Sequence, residues 1–254
     1  VRVASLFLRS YGLSDIGRRR KHNEDAYLCD DELGLWVVAD GMGGHAAGEV
    51  ASQEAIDTVY GMIKRGKRTL DFERASNDER ARAASRLIEG AVQAATYMVF
   101  AMAELDSNKA GMGTTISAMM CAGDFVVTAQ VGDSRVYRIR GKEVTQLTED
   151  HTLIAWQLKQ GLLTEEEARR SKHRNVITRA VGNRDYVQVD TNVVDIEVGD
   201  MFLLCSDGLH GYLLPEEIAD IAATGGQQSV QGFIDLANGR GGKDNITAVL
   251  VEVC

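Results

Sequence analysis

The sequence predicts an α/β domain of the α+β kind, with mainly antiparallel sheets and helices laid over their faces. Three observations predict it. Short β-type runs recur along the whole 254-residue chain; several are joined by glycine-containing turns such as Ala122-Gly123-Asp124 and Gly141-Lys142; and two long helical patterns interrupt them. Turns that short leave antiparallel neighbours. A hydrophobic content of 44% and a single proline suit one large core without a linker, so the expectation is a single domain over residues 1–254.

In chain order the β-type runs are "YGLSDIG", "AYLCD", "LWVVAD", "TTISAMM", "FVVTAQVGD", "RVYRIRG", "VQVDTNVVDI", "MFLLCSDG" and "ITAVLVEV". The first long helical pattern covers 46–65 and the second 78–105, both rich in Ala, Glu, Arg and Met with apolar residues three and four apart. A shorter helical group lies at 215–238. The stretch 150–185 has weak periodicity and clustered basic residues and reads as an excursion from the sheet, a small flap. There are no internal repeats and no low-complexity tracts.

Composition removes several function classes. A formal net charge of −9 and a pI near 5.1 argue against general nucleic-acid binding, whereas surplus carboxylates suit a divalent cation. The four cysteines form no C-x-x-C pair and three sit in apolar runs, so they read as small buried hydrophobes in a reducing compartment. No apolar run approaches the roughly 20 residues of a membrane span. The opening "VRVASLFLRS" is broken by Arg2 and Arg9 and does not read as a signal peptide. The expectation is a soluble cytoplasmic protein with no membrane and no nucleic-acid partner.

The stretch "VVADGMGGHAAGE", a strand running into a glycine-rich turn and a helix, is readable as a phosphate cradle or as a metal site. The Gly-Lys pairs at 66–67, 141–142 and 242–243 are followed by Arg68, Glu143 and Asp244, so none is a Walker A loop. The sixth residue after Cys29, Cys121 and Cys205 is Leu35, Val127 and Gly211, which excludes a Cys-x5-Arg thiolate phosphatase. Gly41, Gly43 and Ala46 satisfy G-x-G-x-x-A, but a dinucleotide site wants a parallel strand after the helix and an acid to hold a ribose, and Tyr60-Gly61-Met62 followed by a further helix stands there instead. What remains is a set of acids at strand ends and turns: Glu24 and Asp25 in "HNEDA", Asp40 in "ADGMGG", Asp133 in "VGDSR", Asp207 in "CSDGL" and Asp244 in "GKDNIT". Carboxylates from separate strands can converge on a shared ion, and glycines let backbone carbonyls join them.

The ordered set "R…NEDA", "DGMGG", "GTT", "VGDSR", "SDGL" and "DNIT" resembles the metal-dependent protein serine/threonine phosphatases, the PPM or type 2C family, and most closely its bacterial branch, over residues 14–253. The resemblance implies a four-layer α-β-β-α sandwich of two antiparallel sheets flanked by helix pairs, with two Mn²⁺ or Mg²⁺ ions at one end. By that resemblance Asp40 bridges the ions, the Gly41 carbonyl contacts one of them, Asp207 and Asp244 bind the first, and Glu24 serves the second through its carboxylate or a water. Asp25 orients metal-bound water, Asp133 matches the position that helps hold a third ion, and Arg20 grips the substrate phosphate. The implied reaction is hydrolysis of phosphoserine and phosphothreonine in proteins by hydroxide generated between the ions, with no phosphoenzyme. It opposes a serine/threonine kinase, and that kinase or its substrates are the implied partners of a monomeric enzyme.

One position departs from the animal branch of the family, where a histidine follows the Asp-Gly pair and is thought to protonate the leaving oxygen. Here Met42 stands there; His45 is the nearest replacement as general acid, and a metal-bound water is the alternative. His151 and His173 read as surface or hydrogen-bonded histidines, and Asn245 as the organiser of its own turn. A pseudophosphatase is the rival from another class; it predicts lost ligands, and Asp40, Asp207 and Asp244 are all present.

Overall fold

In the computed structural model, which describes residues 6–43, 47–68, 75–173 and 175–254, two antiparallel sheets pack face to face. The first sheet has the order β1-β11-β10-β7-β8, from Leu8–Asp15, Ile246–Val253, Met201–Cys205, Arg135–Arg140 and Glu143–Gln146. The second has the order β2-β3-β5-β6-β9, from Asp25–Asp30, Leu35–Met42, Ile116–Cys121, Phe125–Val131 and Asp190–Asp195, with the two-residue β4, Gly113–Thr114, paired to the end of β3. Helices α1 (Ala47–Lys67) and α2 (Asn77–Leu105) cover the second sheet; α5 (Asp207–His210), α6 (Pro215–Ala222) and α7 (Gly226–Gly239) cover the first. This is the four-layer sandwich that the resemblance implies.

Side chains alternate between layers with the strand period of two. On β3, Leu35, Val37 and Ala39 face the α1–α2 layer, while Trp36 and Val38 enter the space between the sheets. On β11, Ile246, Ala248 and Leu250 face α6 and α7, while Val249, Val251 and Val253 meet Trp36, Phe202 and Leu204 in the middle. Burial on both faces is why these strands read as continuous apolar runs rather than alternating ones. Each fully buried Val, Leu or Ile contributes about 1.5–3 kcal/mol.

Helix α2 begins at a capping box: the Ser76 hydroxyl accepts from the Glu79 amide, and Ser76 N–H donates to Glu79 Oε2 at 2.9 Å. The helical group at 215–238 is two helices, because Gly225 and Gly226 both take positive φ and end the first. Strand β8 has no counterpart in the sequence reading; its residues are exposed or half-buried and carry no apolar run. The excursion between β8 and β9 carries two short helices, α3 (Leu153–Lys159) and α4 (Glu165–Arg170). The cysteines are all unpaired, but only Cys205 is fully buried; Cys29 and Cys121 are partly covered and Cys254, just past β11, is exposed. Among the described residues no helix is long and apolar enough to cross a membrane.

The topology gathers the acids at one end. Asp25 and Asp40 are direct partners across the β2–β3 pair. Strand β10 stops at Cys205 and β11 starts at Ile246 on the neighbouring strand, which brings the segments carrying Asp207 and Asp244 together. The β6–β7 turn delivers Asp133.

Candidate metal centre

Asp25 is buried, and its Oδ2 accepts from Ser206 Oγ at 2.8 Å and Thr247 Oγ1 at 2.6 Å, while its Oδ1 has no partner. The Asp40 backbone is gripped by the Gly113-Thr114-Thr115 segment. Its N–H donates to Thr115 Oγ1 at 3.0 Å, and its carbonyl accepts from Thr115 N at 2.9 Å and Thr114 Oγ1 at 2.9 Å. Gly41 N donates to the Glu24 carbonyl at 3.1 Å, and Ser52 Oγ of α1 donates to the same oxygen at 2.6 Å. Glu24 N donates to Asn245 Oδ1 at 2.9 Å, and Asn245 Nδ2 holds the carbonyls of Ile16 and His22. Asn245 therefore does more than shape its own turn: it joins the loop carrying Arg20 and Glu24 to the segment carrying Asp244. Arg20 Nη2 meets Asp244 Oδ2 at 2.7 Å with both side chains partly exposed.

Glycines permit this closeness. A Cβ on Gly41 would stand 2.1 Å from the Gly48 carbonyl oxygen and 2.5 Å from that of Glu24, both backbone atoms that no rotamer can move. A Cβ on Gly48 would meet the Glu24 carboxylate at 2.5 Å. We expect Gly41→Ala to cost about 1–3 kcal/mol through this overpacking and to push Asp40 away from the other acids. Thermal melting with and without Mn²⁺ checks it: the variant should melt lower and gain less from the ion, and an unchanged gain would mean that the turn is slack.

The acids are electrostatically unhappy together. Burial, and then the charges of Asp25, Asp207, Asp133 and Asp244, hold the Asp40 carboxyl well above its ordinary range. Burial raises Asp25 to about 7 against its hydrogen bonds to Thr247 and Ser206, and burial with Asp207 and Asp150 raises Asp133 to about 7. Asp207 is raised by burial and by Asp244, and its buried Oδ1 has no partner. Orphaned carboxylate oxygens and mutually repelling acids are what a hard divalent cation would relieve, so the donor set fits Mn²⁺ or Mg²⁺. Among the described residues no three His, Cys, Asp or Glu side chains stand together closely enough to hold an ion, so the acids are gathered at one end without being closed on a single point.

A cleft of about 730 Å³ opens beside Asp133, Asp207 and Asp244, walled by Ile154 and Leu158 of α3 and by Tyr212. A cavity of about 780 Å³ floored by Trp36 and Cys121 lies towards the other end of β3 and contains none of these acids, so volume alone does not select the site.

Residues 16–249 match the family model of protein phosphatase 2C. The chain belongs to the protein phosphatase 2C family. It is similar to the serine/threonine phosphatase stp of Listeria welshimeri serovar 6b, 38% identical over 244 residues that cover 94% of this chain and 93% of that protein. The crystal structure of the Mycobacterium tuberculosis serine/threonine phosphatase PstP/Ppp superposes with a TM-score of 0.85 at 34% identity, covering 97% of this chain and 98% of that one. The catalytic domain of serine threonine protein phosphatase PstP, solved in complex with two manganese ions, gives a TM-score of 0.83 at 34% identity, covering 98% of this chain and 99% of that one.

Within this protein phosphatase 2C fold, Arg20, Glu24, Asp25, Asp40, Gly41, Asp133, Asp207 and Asp244 all lie at one end of the sandwich. His45 lies outside the described residues. Sequence reasoning missed the groups that hold the acids: Thr114, Thr115, Ser206, Thr247 and Ser52. Four of these five stand inside the quoted motifs "GTT", "SDGL" and "DNIT", so the signal was the Ser and Thr positions that those motifs carry. His210 was also missed; its Nε2 donates to the Asp133 carbonyl at 2.8 Å, and burial lowers its pKa to about 4.

Proposed function

We propose that this protein phosphatase 2C hydrolyses phosphoserine and phosphothreonine in proteins, opposing a serine/threonine kinase, as a cytoplasmic monomer. Two divalent cations, Mn²⁺ or Mg²⁺, would be held by Asp40, the Gly41 carbonyl, Asp207, Asp244 and Glu24, with Asp133 helping to hold a third. The observation that carries the reading is the gathering of Asp25, Asp40, Asp133, Asp207 and Asp244 at one end of the sandwich, the first four raised by burial and by at least one neighbouring carboxylate each. The two manganese ions of the PstP catalytic domain, on the same fold at 34% identity, support it, as do the unpaired cysteines for a reducing compartment.

When bound, the ions supply Lewis-acid charge that activates water for direct attack on phosphorus. The chain's own residues set the stage. Asp25, fixed through Oδ2 by Ser206 and Thr247, keeps Oδ1 free to orient a water. Arg20, half-exposed beside Asp244, supplies a guanidinium that can take two phosphoryl oxygens.

The direct test is release of phosphate from phosphoserine, phosphothreonine and phosphotyrosine peptides after metal removal and again after Mn²⁺ is restored. Hydrolysis of the first two that disappears with the metal and returns with Mn²⁺ is expected; activity that survives chelation contradicts the reading.

Metal uptake should also carry a proton signature. Asp25 and Asp133 sit near 7 instead of their ordinary 3.8, so between those values the metal-free fold holds protons that an ion must displace. Raised acid pKa values destabilise the metal-free fold progressively as pH climbs from about 4 to 7. Neutral buried histidines such as His210 pull the other way below their ordinary 6.5, but they keep their state when metal binds. The stabilisation given by Mn²⁺ should therefore grow from pH 5 to pH 7.5 and level off above it, with protons released in calorimetry at pH 6. A pH-independent metal effect would show that the acids are already ionised.

A further inference from the structure

Asp133 is the acid farthest in sequence from any other, and its turn has an unusual set of holders. Gly132 takes φ +100°, and a Cβ there would strike Thr115 at 2.5 Å, so the turn is pressed against the residue that holds Asp40. Both peptide groups of Gly132 meet His151: Gly132 N donates to His151 Nδ1 at 3.2 Å, and His151 N donates to the Gly132 carbonyl at 2.9 Å, an oxygen that also accepts from Gln130 Nε2 at 3.0 Å. Nδ1 accepts, so the ring hydrogen is on Nε2, which donates to Asp190 Oδ2 at 3.0 Å. Arg179 Nη1 donates to Asp190 Oδ1 at 2.8 Å and so holds the carboxylate that receives the ring; with the hydrogen on Nε2, its 3.1 Å approach to that nitrogen sets two donors side by side and is not a hydrogen bond. His151 is 5% exposed, and burial, helped by Arg179 and opposed by the hydrogen bond to Asp190, lowers its pKa below the ordinary imidazole value.

The braces lead into the excursion that walls the cleft. Thr178 N donates to the His151 carbonyl at 2.8 Å, and Leu153 N to the Val176 carbonyl at 2.9 Å. Val181 exchanges both backbone bonds with Thr114, whose hydroxyl holds the Asp40 carbonyl. Residues 176–181 thus bolt the excursion to the Asp40 side and the Asp133 side at once.

We propose that His151 is a positioning residue: its Nδ1 fixes the Gly132 amide and so the aim of the Asp133 carboxylate, and Asp190 with Arg179 ties that aim to the excursion over the cleft. The proposal rests on Asp133 serving the metal site. Two isosteres separate the halves of the ring. The amide of His151→Asn occupies the Nδ1 place and can accept from Gly132 but cannot reach Asp190. His151→Gln reaches Asp190 but leaves Gly132 N without an acceptor. Both keep the backbone bond to the Gly132 carbonyl, so both retain a fold for testing.

The experiment measures Mn²⁺ binding by calorimetry, hydrogen exchange at the Gly132 amide, and kcat and KM on a small aryl phosphate for native protein, both His151 variants and Asp133→Asn. His151→Gln should expose the Gly132 amide to exchange, weaken the weakest Mn²⁺ class and lower kcat by about tenfold, with KM little changed, and His151→Asn should restore most of all three. Asn and Gln variants that behave alike, or a Gln variant with native Mn²⁺ binding, overturn the proposal. If Asp133→Asn weakens that Mn²⁺ class while His151→Gln does not, the clamp fails and the role of Asp133 stands. If Asp133→Asn leaves Mn²⁺ binding and kcat intact, the reading of Asp133 fails and the clamp with it.

Discussion

Asp40→Asn is expected to turn over about a thousandfold more slowly than the native protein, and to melt at a higher temperature once metal has been removed. The two effects share one cause. Asp40 is the carboxyl on which the charges of Asp25, Asp207, Asp133 and Asp244 all bear, and burial adds to their effect. Without a cation that charge is a liability, and an amide of the same shape removes it while keeping the backbone bonds to Thr114 and Thr115. With a cation the same charge would attract the ion instead of repelling its neighbours. Losing it forfeits several kcal/mol of charge stabilisation in the transition state, which at about 1.4 kcal/mol per tenfold gives the stated rate loss. Melting in chelator and turnover in Mn²⁺, measured on one preparation, check both halves. A metal-free variant that melts lower would mean that Asp40 is a structural group satisfied by its own neighbours.

Arg20→Ala should lower kcat/KM by about a hundredfold, since hydrogen bonds to a charged group contribute about 1.5–3 kcal/mol. The residue is well placed to be read separately from the metal site: it is exposed, its ion pair among the described residues is with Asp244 at 2.7 Å, and that carboxylate is one of the proposed ligands. Removing a competing cation from Asp244 should leave Mn²⁺ affinity equal or slightly tighter. Arg20→Lys should not restore the rate, because an ammonium cannot present two parallel donors to a phosphoryl group. Steady-state kinetics with Mn²⁺ titration separate the effects. Weaker metal binding in the alanine variant would show that Arg20 organises Asp244 and leaves phosphate to another residue.

Much of this arrangement is legible in the sequence because each acid sits where a strand ends and carries a glycine, asparagine or hydroxyl residue beside it. The β-runs are legible for a related reason: with both faces buried, β3, β5, β6 and β11 are apolar nearly throughout, and no competing helical period interrupts them. Strand β8 lacks that signal because its residues stay near solvent. The break inside 215–238 was signalled by the Gly225-Gly226 pair, but a glycine-tolerant helix reads the same way locally. Partner choice is a different matter. Ser206 and Thr247 reach Asp25 across 181 and 222 residues, and Asn245 reaches Glu24 across 221, contacts set by how β10 and β11 stack on the β2–β3 pair. His151 is the clearest case. Nothing around "TEDHT" tells that its ring meets Gly132 on one side and Asp190 on the other, since the excursion that brings them together has little periodicity of its own.

The central claim is that one end of the sandwich is a carboxylate cluster built for two divalent cations. It is tested most directly by counting Mn²⁺ per chain, through equilibrium dialysis with elemental analysis, in native protein and in Asp40→Asn at the same free metal concentration and pH 7.5. About two tightly held ions in the native protein and fewer than one in the variant are predicted. An equal count in the two proteins, or no tightly held ion in either, would contradict the account.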